Sequence, residues 1–299
     1  MAAPENLTTA SQITTSIREV DFVTQFQKNW DALRTILGIM RPIRKAPGTK
    51  LVSYKATVDG GLQGGTAVGE GEDIPLTKTK VEPVAYDDIE LGKWAKAVSI
   101  EAVTKYGATV AVERTDTAFR NELQKKVLTD FYTFLKTGKL VGTQKTWQRA
   151  LAIAKGAVLK RFANIMDFYD YLGDKEITVQ TEFGLNYVKN FLGYSTLFLL
   201  PDAYIEQKKV IAIPVENIDL YYVDPADRDY ATMGANYTVS GETNLLGYHT
   251  EYNYKNATTT NYAIMGMKLW AEYLDGIAVV TVGTSNTEPT VAASESTGR

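Results

Sequence analysis

The 299-residue sequence contains no cysteine and one histidine. Without cysteine there are no disulfides, thiolate nucleophiles or zinc-thiolate sites, which suits a reducing compartment. Triad or acid–base chemistry on imidazole would have to use His249, which lies between Tyr248 and Thr250 in an alternating stretch with no serine or metal motif beside it. A metal would find only carboxylates. Neither sign of charge is in excess: 32 Lys and Arg against 35 Asp and Glu give a net charge of −3, unlike the basic surplus of a dedicated nucleic-acid binder. No apolar run approaches the ~18 residues that span a bilayer, and MAAPENLTTASQITTS at the start lacks the basic-then-apolar order of a signal peptide. A soluble protein made in the cytosol, with no membrane partner, is expected. No internal repeat is visible.

Apolar residues make up 44% of the chain, enough for a sizeable core, and the length leaves room for about two domains. The eighteen tyrosines suit strands and wet interfaces, where one end of the ring is apolar and the other polar. The strongest pattern runs from Gly107 to Gly138. There Val112, Phe119, Leu123, Val127, Phe131 and Phe134 recur at helical spacing. Arg114, Arg120, Glu122, Lys125, Lys126 and Asp130 lie between them, and Gly138 stands where a helix commonly stops. A helix from about Val110 to Lys136 would be roughly 40 Å long at ~1.5 Å per residue, a strut across which other elements pack, with Phe119, Leu123, Val127 and Phe131 as its core face.

Residues 1–18 read as a polar extended arm. Phe22, Phe26, Trp30, Leu33 and Leu37 predict an amphipathic helix over Asp21–Ile39. The basic cluster Arg41–Lys45 follows, with Pro42 and Pro47 stopping the helix; it reads as a solvated turn or salt-bridging arm, or else as a phosphate contact. Lys50–Val58 alternates as a strand. The next twelve residues, Gly60–Gly71, include six glycines, and extended character resumes from Leu76 to Leu91. The pattern predicts a long hairpin with a glycine-rich tip, marginal by itself and in need of a surface such as a neighbouring copy. A phosphate loop is rejected, because Glu70, Glu72, Asp73 and Pro75 follow the glycines instead of a lysine and a helix. Trp94–Val103 predicts a strand running into the long helix, and Thr146–Asn164 a second helix. Short strands are predicted at 195–200, 209–213, 218–223, 247–254, 263–273 and 276–282. The segment from Gly283 has almost nothing to bury and reads as disordered.

No constellation of catalytic residues emerges. Asp87 and Asp88 point to opposite faces of an extended segment. Asp224, Asp227 and Asp229 in VDPADRDY lack the ligand order of an EF-hand and read as a polar turn. No catalytic, cofactor-binding or metal site is expected, and the protein is not expected to be an enzyme.

The order of these parts resembles the major capsid proteins of tailed bacteriophages, the Hong Kong 97-type fold. GEGEDIPLTKTKVEPVAYDDIELGKWAKAVSIEAV (69–103) looks like that family's extended loop and return strand. AIPVENIDLYYVDPADRDY (212–230), ETNLLGYHTEYNY (242–254) and YAIMGMKLWAEYLDGIAVV (262–280) look like the closing part of capsid proteins from phages of Gram-positive bacteria. The resemblance implies an α+β fold with an N-terminal arm at 1–46 and an extended loop at 47–92. It implies a peripheral domain at 93–149 and 244–282 around a spine helix at 108–137, an axial domain at 150–243, and a disordered tail at 283–299. It implies an icosahedral shell around double-stranded DNA, built in the bacterial host cytoplasm and found in the virion. The partners would be many further copies of the chain as pentamers and hexamers, a separate scaffolding protein, a portal protein, and DNA held without sequence-specific contacts. Gly60, Gly61, Gly64, Gly65, Lys78, Lys80, Arg41 and Arg44 are the expected inter-subunit contacts. Two departures carry expectations. Only some twenty residues precede the first helix, so no large cleaved prodomain is expected. Lys55, Lys78 and Lys80 with Asn244, Asn253 and Asn256 are too ordinary a set to imply the covalent cross-link of the namesake phage. The alternatives are an encapsulin-type cellular shell and, more distantly, a calcium-dependent enzyme using Asp224, Asp227 and Asp229.

Overall fold

The computed structural model describes residues 17–37, 39, 42–63, 73–153, 160–182, 185–191, 194–213, 218–240, 243–271, 277–284 and 286–291. The first half of the chain lays out a helix, a hairpin and a long helix. Helix α1 (Ile17–Leu37) buries Phe22, Val23, Phe26, Trp30, Leu33 and Leu37, the stripe its spacing predicts. Strand β1 (Ile43–Lys45) follows, then β2 (Lys50–Asp59) and β3 (Lys78–Asp88), which pair antiparallel as a two-stranded sheet. Strand β4 (Leu91–Ser99) leads into helix α2 (Ile100–Tyr106), a π-helical turn (Thr109–Glu113) and helix α3 (Arg114–Leu135). The strand expected over Trp94–Val103 therefore ends four residues early. Ser99 stops it: its Oγ accepts from Ala102 N at 3.2 Å and caps α2. Gly107, at φ 79°, closes that short helix with its N–H on Val103 O.

The second half supplies most of the strands. Strand β5 (Leu140–Gln144), helix α4 (Trp147–Ile153), strand β6 (Lys160–Asn164) and helix α5 (Ile165–Leu172) come first. The helix expected over Thr146–Asn164 is thus corrected: its first part is α4 and its last five residues are a strand. Tertiary position decides this, because β6 lies between two other strands, with Phe162 facing one core and Ala163 the other. Next come β7 (Gln180–Glu182), β8 (Leu185–Phe191), β9 (Tyr194–Leu200), β10 (Lys209–Ile213), β11 (Ile218–Val223) and helix α6 (Arg228–Thr232). Strands β12 (Gly247–Asn253), β13 (Thr258–Ala271), β14 (Ala278–Val282) and β15 (Thr287–Val291) complete the order. The expectation of a disordered tail from Gly283 is corrected over 287–291. An edge strand is held through its backbone and needs little apolar surface of its own.

Two larger sheets organise these elements. In the five-stranded sheet β13 is central, pairing with β4, β11 and β12, while β1 adds in parallel to β11. The eight-stranded sheet runs β15-β5-β14-β10-β6-β9-β8-β7. One face of it shares the larger core with α1, α3 and the five-stranded sheet, through Phe162, Phe198, Ile211 and Ile213. Its other face packs Ala163, Leu197, Leu199, Val210 and Val280 against Trp147, Leu151 and Phe168 of α4 and α5. The sheets cut across the expected domain division. β11, assigned to 150–243, pairs with β13, whereas β5 and β14, assigned to 93–149 and 244–282, pair within the eight-stranded sheet. Chain order does not follow sheet membership here, because the chain crosses between the sheets more than once.

Candidate functional site

Helix α3 is the element on which the rest is positioned. Leu123, Val127 and Phe131 are buried, together with Tyr132 and Leu135, and Phe119 is half-buried with its ring 6.1 Å from Phe22 of α1. Phe22 in turn stacks on Tyr248 of β12 at 4.1 Å. Burial pushes the Tyr132 and Tyr248 phenols well above their ordinary pKa, and neighbouring Tyr204 and Asp116 add to the respective shifts. Gly138 is needed where the helix ends, since a Cβ there would stand 2.5 Å from the Ile277 carbonyl oxygen.

Above this apolar stripe sits an ionic junction. Arg18 of α1 grips Asp116 of α3 with both arms of its guanidinium, Nε to Oδ2 at 2.5 Å and Nη2 to Oδ1 at 2.7 Å. Lys96 of β4 also pairs with Asp116 and donates to Thr115 Oγ1 at 2.8 Å. Beside it the Glu19 carboxylate accepts from Thr238 Oγ1 at 2.8 Å and from Thr250 N at 2.5 Å. Burial alone would raise the Asp116 carboxyl, but hydrogen bonds and charge from Arg18 and Lys96 hold it below the usual range. For Lys96 the balance tips the other way: desolvation lowers its pKa in spite of Asp116. Three elements, α1, α3 and β4, are thereby locked at one carboxylate. Sequence reasoning missed this junction, although Asp116 lies seven residues before Leu123, a lone acid on the apolar stripe and hence a sign of a buried partner.

The basic segment after α1 is tied inward. Arg44 bonds Asp227 at 2.9 Å and pairs with Asp224 at 3.5 Å, and Lys45 lies over the Tyr221 ring at 4.9 Å. Arg44 is thus a salt-bridging arm within its own chain; Arg41 lies outside the described residues. Asp224 also accepts from Ala226 N and Asn244 Nδ2, and Asp227 caps α6 through Asp229 N. These carboxylates hold a turn, which counts against the calcium-enzyme reading. Among the described residues, Tyr237 is the ring neighbour of His249, edge-on at 6.4 Å.

The hairpin differs from everything else. Among the described strands, β2 and β3 pair with each other and with no other strand, over Lys50↔Asp88 to Asp59↔Lys78. Its distal residues Leu62, Ile74, Leu76 and Val81 are 86%, 73%, 90% and 62% exposed. Gly60 and Gly61 adopt φ of 79° and 75°, where a side chain would be strained, and Lys78 pairs with Asp59 at 3.2 Å. Gly64 and Gly65 lie outside the described residues; Lys80 is an exposed residue of β3. The roots, by contrast, are fixed. Lys45 at the end of β1 pairs with Val223, Val223 with Gly266, and Gly266 with Leu91 at the start of β4, one row across the five-stranded sheet. Next to that row, Trp94, Phe134, Met265, Met267, Leu269 and Trp270 line an open cleft of about 550 Å³, with Glu90, Lys126, Asp130 and Lys268 also on its wall.

No family model matches the chain, and no curated protein matches it. Solved structures do. A chain of the capsid asymmetric unit of cyanophage A-1(L) superposes with a TM-score of 0.54 at 12% identity, over 94% of this chain and 99% of that one. A chain of the holo-SrpI encapsulin complex from Synechococcus elongatus gives 0.53 at 12% identity, over 93% of this chain and 96% of that one. Likeness over nearly the whole of both chains at so low an identity is a likeness of fold, and the fold of this chain is the Hong Kong 97-type capsid fold.

Proposed function

We propose that this chain is the major capsid protein of a tailed bacteriophage, a structural subunit whose copies close into an icosahedral shell around double-stranded DNA. The observation that carries the reading is the β2–β3 hairpin, whose tip exposes Leu62, Ile74, Leu76 and Val81 while its roots are fixed in a sheet. A two-stranded hairpin is marginal alone, and exposed apolar side chains near its tip are what a neighbouring subunit would bury. Gly60, Gly61, Gly64 and Gly65 would let the tip adapt to that neighbour, and Lys78, Lys80 and Arg41 would contact it at the rim. Arg44 serves its own subunit.

In this reading α3 is the spine and the five-stranded sheet with it forms the peripheral domain. The eight-stranded sheet is the axial domain facing the axes of pentamers and hexamers. Each contact is modest, and a closed shell multiplies it by multivalency. The net charge of −3 suits a container that must release its DNA without being held by strong phosphate contacts. A separate scaffolding protein and a portal protein complete the assembly in the bacterial cytoplasm, and the product resides in the virion.

The test is negative-stain electron microscopy of the protein expressed with and without a candidate scaffolding protein from a neighbouring gene. Closed shells of uniform size are expected with the scaffold. Persistent monomers under both conditions would overturn the reading, and shells that load a cellular enzyme in place of DNA would favour the encapsulin alternative.

A further inference from the structure

The outer edge of β5 invites pairing. Leu140-Val141-Gly142-Thr143-Gln144 has no charge and no proline, Val141 is 42% exposed, and a glycine stands at its centre. An uncharged, glycine-containing strand of this kind pairs readily with a like strand of another chain, in a weakly specified register. One side of β5 is taken by β14 in parallel, from Ala278↔Leu140 to Val282↔Gln144. The other side would be the end of the sheet if β15 did not cover it, through Thr287↔Thr143, Thr290↔Val141 and Val291↔Leu140. The covering strand is itself a poor template. Its register shifts across Glu288-Pro289, and a proline has no N–H to offer a further strand. The opposite end of the sheet, β7, spans only Gln180–Glu182 and needs no such cover.

The cover is fastened where it turns. β14 and β15 straddle β5, and Gly283 and Asn286, which flank the crossing, are tied to its C-terminal end. Gly283 N donates to Gln144 O at 2.8 Å, Lys145 N donates to Asn286 Oδ1 at 3.0 Å, and Gln144 Nε2 donates to Thr287 O at 2.9 Å. A Cβ on Gly283 would stand 2.8 Å from Thr143 Cγ2, so the crossing is close. A connection this short spans roughly 14 Å at full extension. That suffices to cross two strand spacings of about 4.8 Å and leaves little slack for delivery to another molecule.

We propose that β15 is an edge guard: it occupies in cis a strand-acceptor edge on β5 that, uncovered, pairs antiparallel with β5 of a second copy. Such pairing would be isologous, each copy offering the same strand about a two-fold axis. The short tether gives β15 an effective concentration in the millimolar range, against about micromolar for free subunits, so the cis strand prevails by about a thousandfold. The guard acts on the free subunit and does not depend on the capsid reading.

The experiment compares the full chain, a chain lacking residues 287–299, and that truncated chain carrying Val141→Lys, by sedimentation velocity from about 1 to 100 μM before any assembly is triggered. The truncated chain should shift to dimers and larger species at a concentration at least tenfold below any self-association of the full chain. Val141→Lys should return it to the full chain's behaviour, with an unchanged far-ultraviolet circular dichroism spectrum. Identical association by the full and truncated chains would overturn the proposal. So would association that Val141→Lys does not reverse, since that would mark loss of folding and not an uncovered edge. Failure of the capsid reading would show instead as a full chain that never forms shells.

Discussion

Phe131→Ala tests whether α3 holds the two sheets together. Phe131 is fully buried, 5.5 Å from the Tyr132 ring and 5.8 Å from Phe162, both edge-on. Phe162 belongs to β6 and stacks on Phe198 of β9 at 4.9 Å, so the deleted ring is one of two on the helix, with Tyr132, that meet the eight-stranded sheet at Phe162. Truncating a buried phenylalanine costs about 3–5 kcal/mol, transfer and cavity together, a large part of the roughly 5–15 kcal/mol that keeps a domain folded. With an m-value of about 3 kcal/mol per molar urea, a 4 kcal/mol loss lowers the midpoint by about 1.3 M. The assay is urea unfolding of the unassembled subunit, followed by circular dichroism and by tryptophan fluorescence, whose transitions should coincide if unfolding is two-state. Phe134→Ala, at a half-buried residue on the cleft wall, is the control and should shift the midpoint by less than half as much. A Phe131→Ala midpoint within about 0.3 M of the parent would refute the assignment of α3 as the joint between the sheets.

Three further outcomes are expected. Leu62→Lys with Leu76→Lys should leave subunit stability within about 0.5 kcal/mol, since both side chains face solvent, yet abolish closed shells in electron micrographs; normal shells would refute the hairpin's role. Arg18 and Lys96 depress the Asp116 carboxyl in the folded state, so its ionised form stabilises above the unfolded value of about pH 4, and that contribution is lost as pH falls through the lower folded value. Asp116→Asn should therefore flatten the acid limb of stability against pH and cost on the order of 3 kcal/mol near neutrality, because two cations lose their counter-charge; an unaltered acid limb would count against the junction. Gly138→Ala puts a Cβ 2.5 Å from the Ile277 carbonyl oxygen and should cost about 2 kcal/mol in urea unfolding, an overpacking penalty; a neutral result would mean that the helix end can move.

What the sequence made legible was whatever one periodicity governs alone. α1 and α3 each bury one stripe and leave the other face wet, so Phe22 to Leu37 and Leu123 to Phe131 stand out at helical spacing. β12 has its buried residues at the start and exposed ones at the end, and its tyrosines alternate visibly. β6 escaped because both faces of the eight-stranded sheet are covered: Phe162 serves one core and Ala163 the other, which erases the alternation that marks a half-exposed strand. β15 escaped because a strand held by backbone pairing to β5 requires no apolar pattern at all. Of the candidate site, the hairpin was readable from its glycines and alternation. The ionic junction was not, since Arg18, Lys96 and Asp116 are brought together from three elements distant in the chain.

The row Lys45–Val223–Gly266–Leu91 explains why folding and assembly should separate so cleanly under mutation. Both roots of the hairpin enter the five-stranded sheet in that row, about 14 Å apart at ~4.8 Å per strand. Leu91 begins a register with β13 that continues through Ser99, and on the far side Arg44 adds an ion pair to Asp227. The direction in which the hairpin leaves the subunit is therefore set by elements that belong to the main core. Leu62, Ile74, Leu76 and Val81 are exposed and stand outside that core, so changes at Leu62 or Leu76 have little folded contact to disturb. In the proposed shell, an arm with fixed roots and with Leu62 and Leu76 exposed would transmit force between subunits without drawing on either subunit's own stability. Each subunit of such a shell would then remain folded while its neighbours are exchanged or repositioned.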